Sequence, residues 1–349
     1  MSRDRRGNGV QVVGGSNPPC PTKSPPPILK AQRTSPMNML LVTSPSIYAT
    51  VRADSGNWTV PWAAVLAGTS PTVLTNPPEI HQVACATVKP SDVTYVVARL
   101  GHPGPIAFTL RKADTKWTVL EDPSATAGRL DDIVDICCGA TGNDTIQLVA
   151  STASTGLFSH TMRTGSGAWT KWTKWEEGLR AKTGPIGATV EWRIAATGVG
   201  NDLHLLMQVT YSGERMSIEH TIRSADGTWQ LWIEIPAPDF FHNLGDGDIA
   251  CAGMGSDLYV FLRHRKTYYT VRNANGQWTP WTEMALGAPG TGFTGPLAVS
   301  ADGNVMHVFA GGYYAICQGG TWSAWKDIRT IVSDYSWRSA GMAPVSRVL

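Results

Sequence analysis

Residues 269–281, which read Tyr-Thr-Val-Arg-Asn-Ala-Asn-Gly-Gln-Trp-Thr-Pro-Trp, contain the pattern that decides how this 349-residue chain folds. The pattern is Thr-x-Arg with a Trp six positions after the Arg, and it recurs along the chain. Its members are Thr50/Arg52/Trp58, Thr109/Arg111/Trp117, Thr161/Arg163/Trp169, Thr221/Arg223/Trp229, Thr270/Arg272/Trp278 and a shorter variant with Ala315, Cys317 and Trp322. Successive Trp residues are 59, 52, 60, 49 and 44 positions apart. These periods are typical of four-stranded propeller blades and exceed those of helical solenoid repeats.

Each copy of the pattern is typical of a β-hairpin. Asn275 and Gly276 tolerate positive φ at both central positions of a type I′ turn, which predicts a two-residue loop between antiparallel strands. In that register Arg272 lies opposite Thr279. Alternation along the strand then puts the first Trp of the motif on one face, and the Arg with the second Trp on the other.

The composition favours one domain made of many short strands. The chain has 36 Gly and 23 Pro, only 16% of its residues are charged, and no long amphipathic helix is visible. Its formal charge is +2, and residues 1–36 contribute six Lys/Arg against one Asp, or +5, which leaves about −3 for the remainder. We therefore expect no nucleic-acid partner. No apolar run reaches the ~18 residues of a membrane helix, so we expect no membrane insertion.

Residues 1–36 form a separate segment with seven prolines and scattered basic residues. This composition is typical of an extended chain, and two interpretations stay open: a disordered leader, or a tail that docks onto a protein partner. The start of the chain does not resemble a secretion signal, which predicts synthesis in the cytoplasm, with later release or incorporation into a particle or cell-surface assembly left open. Cys85, Cys137 and Cys251 recur in short apolar strands and are predicted to be free thiols. We expect no cofactor and no metal.

Residues 37–349 are predicted to form an all-β, six-bladed β-propeller of four-stranded antiparallel blades. The first blade lacks its innermost strand, and residues 336–341 are similar to residues 191–196, the innermost strand of the fourth repeat. Pairing the C-terminal strand with the N-terminal blade closes the ring and removes free sheet edges. The expected blades are 336–349 with 37–66, then 80–122, 131–177, 188–236, 247–285 and 293–329.

The repeat at residues 220–229, His-Thr-Ile-Arg-Ser-Ala-Asp-Gly-Thr-Trp, resembles that of the Trp-rich β-propeller lectins of bacteria and fungi. The resemblance covers residue 38 to the end of the chain. It implies a propeller that binds monosaccharides in clefts between adjacent blades, with aromatic rings stacked on the sugar and Arg or acidic side chains bonded to its hydroxyls. Glycans on cells or in polysaccharides are the implied partners, and adhesion or receptor recognition is the implied role.

An aromatic face and a charged fork together suit the apolar and hydroxyl faces of a sugar. We therefore expect a ligand to contact the Arg and the second Trp of each repeat, and the polar ring that precedes the Thr. The alternative is that these side chains pack between blades. The candidates are Arg52, Arg111, Arg163, Arg223, Arg272, Trp62, Trp172, Trp232, Trp281, Trp325, His160, His220 and Tyr269.

Two other functions are alternatives to a lectin. Sialidase-type propellers carry Ser-x-Asp-x-Gly-x-Thr-Trp boxes, but residues 224–229 lack one position between Asp and Gly, and no pair of carboxylates with glycosidase spacing is recognisable. A non-enzymatic protein is therefore predicted, with a glycosidase-like or pore-located enzyme as one alternative. The second alternative is a structural component of a larger particle, such as an appendage or virion, docked by residues 1–36.

Overall fold

The computed structural model describes residues 37–43, 46–52, 63–64, 79–111, 117–118, 120–142, 144–153, 158–164, 167–175, 191–210, 216–236, 247–263, 266–284, 296–328 and 339–344. Within these ranges the chain forms six antiparallel sheets and one helix of 4 residues. That helix is too short to cross a membrane, and the described ranges contain no other candidate span. Residues 1–36 lie outside the described residues, so the docking tail stays a prediction.

The strands follow one another along the chain, sheet by sheet. Sheet 1 contains β1 (Met37–Thr43), β2 (Ser46–Arg52) and β3 (Ala63–Ala64), and sheet 2 contains β4 (Ile80–Val88), β5 (Val93–Leu100) and β6 (Ile106–Arg111). After helix α1 (Ser124–Ala127), sheet 3 contains β7 (Ile133–Thr141), β8 (Thr145–Thr152), β9 (Phe158–Arg163) and β10 (Thr173–Trp175). Sheet 4 contains β11 (Glu191–Val199), β12 (Asp202–Thr210), β13 (Met216–Arg223) and β14 (Ile233–Glu234).

Sheets 5 and 6 repeat this arrangement. Sheet 5 contains β15 (Asp248–Met254), β16 (Asp257–Arg263), β17 (Thr267–Arg272) and β18 (Thr282–Glu283). Sheet 6 contains β19 (Leu297–Asp302), β20 (Val305–Ala310), β21 (Tyr313–Gln318), β22 (Thr321–Trp322) and β23 (Lys326–Asp327), and the last strand, β24 (Ser339–Pro344), belongs to sheet 1.

Strand β16, the second of sheet 5, is apolar on both faces because it is covered on both sides. Along β16, Leu258 and Val260 join the hydrophobic core shared with sheet 4, whereas Tyr259 and Phe261 join the core shared with sheet 6. All four side chains are at most 1% exposed. A half-exposed antiparallel strand would instead alternate apolar and polar residues. The cores of this protein therefore lie between successive sheets.

The inner strands form a closed ring. β24, β4, β7, β11, β15 and β19 each contact the next in that cyclic order, and β19 contacts β24 again. The ring closes inside sheet 1, where β1 pairs with β24 from Met37 opposite Pro344 to Val42 opposite Ser339. The prediction that the C-terminal segment supplies the missing innermost strand is confirmed, with the strand at 339–344 rather than 336–341.

The number of four-stranded blades is lower than predicted. Five sheets have at least four strands, and sheet 2 has three within the described residues. Where a fourth strand is expected, the described residues show one bridge, in which Phe108 and Glu121 exchange two N–H···O bonds of 2.8 Å. Pro123 follows two residues later and begins the turn into α1. Because proline has no N–H to donate, the pairing does not continue.

Close approach of the inner strands requires small residues. At Gly198 a Cβ atom would lie 1.7 Å from the carbonyl oxygen of Ala140 on the neighbouring inner strand, so no side chain fits there. Cys137 and Cys251 are buried in the same ring, and both are free thiols, as is the partly buried Cys85. The prediction of free thiols in small-residue inner strands is confirmed.

The hairpin register differs from the predicted one. Arg272 pairs with Trp278, not with Thr279, and the loop is closed by the N–H of Asn273, which donates to the carbonyl of Gln277 at 3.0 Å. Only Gly276 has positive φ, at +82°, so the loop is not a type I′ turn. A three-residue loop with Gly in the left-handed region takes its place. Arg223 and Trp229, and Arg163 and Trp169, pair in the same way.

The face assignment changes with the register. Residues directly opposite each other on antiparallel strands share a face, so the Arg lies with the first Trp of its motif. Beyond this pair, away from the loop, the N–H of Thr279 donates to the carbonyl of Val271, and Tyr269 lies opposite Thr282. Moving two residues along β17 therefore corresponds to moving three residues along the opposite strand. This extra residue is a bulge, and it returns Trp281 to the face of the first Trp.

Candidate ligand-binding site

A repeated aromatic contact joins four pairs of successive sheets, and we call each such contact region a joint. In each joint the first Trp of one motif meets, edge to face, the ring that precedes the Thr in the preceding sheet. The pairs are Phe108–Trp169 (5.4 Å between ring centroids), His160–Trp229 (5.7 Å), His220–Trp278 (5.4 Å) and Tyr269–Trp322 (5.7 Å). The polar rings His160, His220 and Tyr269 are thus buried, at 4%, 1% and 4% exposure, in contact with a neighbouring sheet.

The motif Arg enters the same joint as the first Trp. The guanidinium of Arg163 lies 4.8 Å from the ring of Phe108 and 5.6 Å from that of Tyr95, both in sheet 2. In the next joint Arg223 donates from Nη1 to Oε1 of Gln147 in sheet 3, at 3.3 Å. Arg163 and Arg223 therefore both contact the sheet before their own, and burial lowers the pKa of Arg223 from its ordinary value.

In the joint between sheets 4 and 5, His204 is at the position of Tyr95 and Gln147 in the other sheets, and His220 is at the position of Phe108 and His160. His204 Nδ1 and His220 Nε2 are 3.0 Å apart, and the two rings stack at 5.2 Å. Burial, and then the charge of Arg272, lower the pKa of His204 to about 4. Burial, His204 and Arg272 lower the pKa of His220 to about 2. Both rings are therefore neutral at pH 7, which leaves Arg272 as the positive charge among these three side chains.

Sequence reasoning missed the second-strand members of the joints. Tyr95, Gln147 and His204 each occupy the third position of the second strand in their sheet. These residues are hard to identify from the sequence because they lie within apolar runs, such as Leu203 to Met207. What distinguishes them is a polar or aromatic side chain at the same position of successive second strands, which is visible only after the strands are aligned.

The second Trp of each motif lies in the same joint as the first. Trp232 is 7% exposed and contacts Phe158 and the stacked Trp175 of sheet 3, whose ring centroid is 5.2 Å away. Trp281 donates from Nε1 to the carbonyl of Pro236 at 2.9 Å, which ties sheet 5 to the outer end of sheet 4. Trp172 and Trp325 are partly buried against the cores of their own joints.

The remaining candidates fall into two groups. Arg111 lies 5.9 Å above Trp117, the first Trp of its own motif. Arg52 ends β2, but its side chain, like the whole of Trp62, lies outside the described residues. Within the described part of the chain no group of three His, Cys, Asp or Glu is arranged to hold a metal ion.

The joints contain buried N–H donors without an acceptor among the described residues. Between sheets 2 and 3 these donors are Nε and Nη1 of Arg163 and Nε1 of Trp169. Between sheets 4 and 5 they are Nε of Arg272 and Nε1 of Trp278, whose side chains are only partly buried. A buried donor left unpaired costs about 1–3 kcal/mol. Both joints therefore contain N–H donors that could bond an oxygen acceptor.

No protein-family model matches the sequence, and no curated protein sequence matches it. Solved structures match the fold at low identity. An α-L-arabinofuranosidase from Fusarium graminearum, solved with an iminosugar inhibitor, aligns with a TM-score of 0.50 and 9% identity over 73% of this chain and 82% of its own. The Aleuria aurantia lectin, a six-bladed β-propeller with a novel mode of fucose recognition, aligns with a TM-score of 0.47 and 15% identity over 71% and 77%. A Bacteroides caccae protein of unknown function aligns with a TM-score of 0.48 and 10% identity over 90% and 100%. At these identities the likeness extends to the fold and not to a family.

Proposed function

We propose that this protein is a non-enzymatic, lectin-like carbohydrate-binding module, and that a saccharide binds in the joints between its sheets. The observation that carries the proposal is the pair of buried, unpaired donors on Arg272 and Trp278 in one partly open joint. Saccharide hydroxyls are acceptors for such N–H groups, and an indole face suits the C–H face of a pyranose. The joint between sheets 4 and 5 is the principal site.

The joint between sheets 2 and 3 is a tighter second site. Its Arg163 carries the same kind of unpaired donors, but Trp169 is only 5% exposed. We infer that this joint admits only the edge of a sugar ring. Several weak sites around one ring strengthen attachment to a glycan-covered surface through multivalency, which suits recognition and adhesion.

Binding to a glycan array, followed by calorimetry with the best saccharide, tests the proposal. Arg272→Lys retains the charge but removes Nε and the planar fork, and Trp278→Phe retains a ring but removes Nε1. Losing a hydrogen bond to a charged group costs about 1.5 kcal/mol or more, so we expect Arg272→Lys to weaken binding about tenfold. Trp278→Phe should weaken it less, because its lost partner is uncharged.

The matched control is Arg129→Lys. The Arg129 side chain is 83% exposed and is paired with Asp131, outside the joints. Its substitution should leave saccharide affinity unchanged. Two results would contradict the proposal: no saccharide retained on the array at high valency, or equal affinity of the wild type and Arg272→Lys.

A further inference from the structure

The inner strands surround a cavity of about 380 Å³ in the central channel. Where these strands begin, the lining is polar, with Gln82 of β4, Asp135 of β7, Arg193 of β11 and Asp248 of β15. The cavity is separate from the joints, which lie further out between the sheets. Its volume is in the range that holds a small molecule.

The buried carboxylate in this wall is held by the chain itself. One oxygen of Asp135 accepts from Nε2 of Gln82 and, at 2.9 Å, from the N–H of Ile136. Its other oxygen accepts from the N–H of Ile194 in the next sheet, at 2.8 Å. Asp135 thereby fastens β7 to its neighbours. Both of its oxygens are engaged by uncharged donors.

A buried cation in the same wall has neutral acceptors. Arg99 is 6% exposed and donates from Nη1 to the carbonyl of Gly101 at 2.7 Å and to Nδ1 of His102 at 2.8 Å. Its Nε donates to Oε1 of Gln82 at 3.3 Å. Among the described residues, none of these acceptors is a carboxylate. Burial lowers the pKa of Arg99, and Asp135 lies near enough to raise it. The guanidinium makes no hydrogen bond to that carboxylate among the described residues, and it adjoins the cavity.

Further basic side chains lie near Arg99 on the cavity side. Burial is the main cause that lowers the pKa of Arg99, Asp135 raises it, and Arg193 lowers it further. Burial, and then Arg99, His81 and Arg193, lower the pKa of His102. His81 stacks on His102 with ring centroids 5.9 Å apart, and both rings line the cavity. Four basic side chains from sheets 2 and 4, together with the carboxyl groups of Asp135 and Asp248, thus line the cavity.

We propose that the central cavity binds a small oxyanionic ligand, one that carries a carboxylate or a phosphate group, through the guanidinium groups of Arg99 and Arg193. A planar fork matches either group with two parallel hydrogen bonds. His81 and His102 border the same wall and add donors. Asp248 of β15, the strand next to β11 in the ring, also lines the cavity and is suited to accept hydrogen bonds from the hydroxyl groups of such a ligand.

Calorimetry on the full chain tests this site with three probes: D-glucuronate, inorganic phosphate and uncharged D-glucose. We expect binding of at least one anion, and Arg193→Gln should weaken it at least tenfold. Arg193 is exposed at its end of β11, so the substitution should leave the fold intact. The control Arg129→Gln removes an equally positive, exposed side chain outside the cavity and should have no effect.

Preference for glucuronate identifies a sugar acid as the ligand, and preference for phosphate identifies a phosphate ester. Both outcomes support the site. Absence of binding by either anion, or the same affinity in wild type and Arg193→Gln, overturns it. Because Arg272→Lys leaves the cavity intact, that variant should bind the anion normally, and a failure of the joint sites is therefore distinguishable from a failure of this one.

Discussion

The threonine of the Thr-x-Arg motif fastens the hairpin from inside. Thr270 is 0% exposed, and its Oγ1 donates to the carbonyl of Thr279 at 2.6 Å. Thr270→Val keeps the shape and leaves that carbonyl without its donor, so we expect the free energy of unfolding to fall by about 1–3 kcal/mol. The exposed Thr321→Val should change it by less than about 0.5 kcal/mol. Urea denaturation of both variants is the measurement, and equal midpoints would contradict the assignment.

Residue identity alone revealed which positions repeat but not which way they point. The Thr, Arg and Trp were found because they recur at fixed spacing. The face on which these side chains lie depends on the φ angle of Asn275. Because this φ is not positive, the loop is one residue longer than predicted, and Trp278 lies opposite Arg272. The unpaired donors in the joints were not predictable, because they depend on which acceptors the neighbouring sheet lacks.

Within a hairpin, the turn glycine and the motif Arg are in contact. Gly276 has φ +82°, and a Cβ atom there would lie 3.0 Å from Nη2 of Arg272. Gly276→Ala should therefore lower stability by about 1–2 kcal/mol and also displace the guanidinium, weakening saccharide binding. At Gly255, with φ +65° and no atom within 4 Å of an added Cβ, alanine should lower stability alone. Melting temperature measures the loss of stability, and calorimetry measures the loss of saccharide affinity. Unchanged saccharide affinity in Gly276→Ala would contradict the idea that Gly276 leaves room for the Arg272 guanidinium at the binding site.

At the scale of elements, inner strands are visible in the sequence because their apolar and small residues repeat in register. Residues 191–196, which the sequence indicates as an innermost strand, lie within β11. The outer strands were less predictable. They are short, and in sheet 2 a single bridge at Glu121 replaces the strand, because Pro123 ends the pairing.

Across the whole molecule, three buried neutral histidines make stability depend on pH. Burial is the main cause that lowers the pKa values of His160, His204 and His220 to about 3, 4 and 2. The unfolded chain binds protons at these positions below about pH 6.5, while the folded chain does not, so stability falls as the pH drops through that value. Each contributes a slope of up to about 1.4 kcal/mol per pH unit.

Two carboxyl groups oppose this trend. Burial raises the pKa of Asp135 to about 6 and also raises that of Asp248, so their contribution is largest below about pH 3.8 and is lost as the pH rises through the folded value. Three histidines outweigh two carboxyls, and we expect the melting temperature to fall between pH 7 and pH 5. In sheet 2 the position that corresponds to His160 is occupied by Phe108, so His160→Phe introduces a side chain that this position accepts elsewhere in the protein. The variant should reduce the fall in melting temperature by up to about a third. An unchanged pH profile in that variant would contradict the assignment, and Thr321→Val is the non-titrating control.

The pairing of β1 with β24 also has a consequence for biosynthesis. Sheet 1 needs a strand that the ribosome makes some 300 residues after its neighbour, as the register of Met37 with Pro344 shows. Until β24 has been synthesised, the edge of β1 in the β1–β2 hairpin is unpaired, whereas each later sheet already has all of its strands. A pause in translation before residue 339 would therefore expose this edge to chaperones or to other nascent chains.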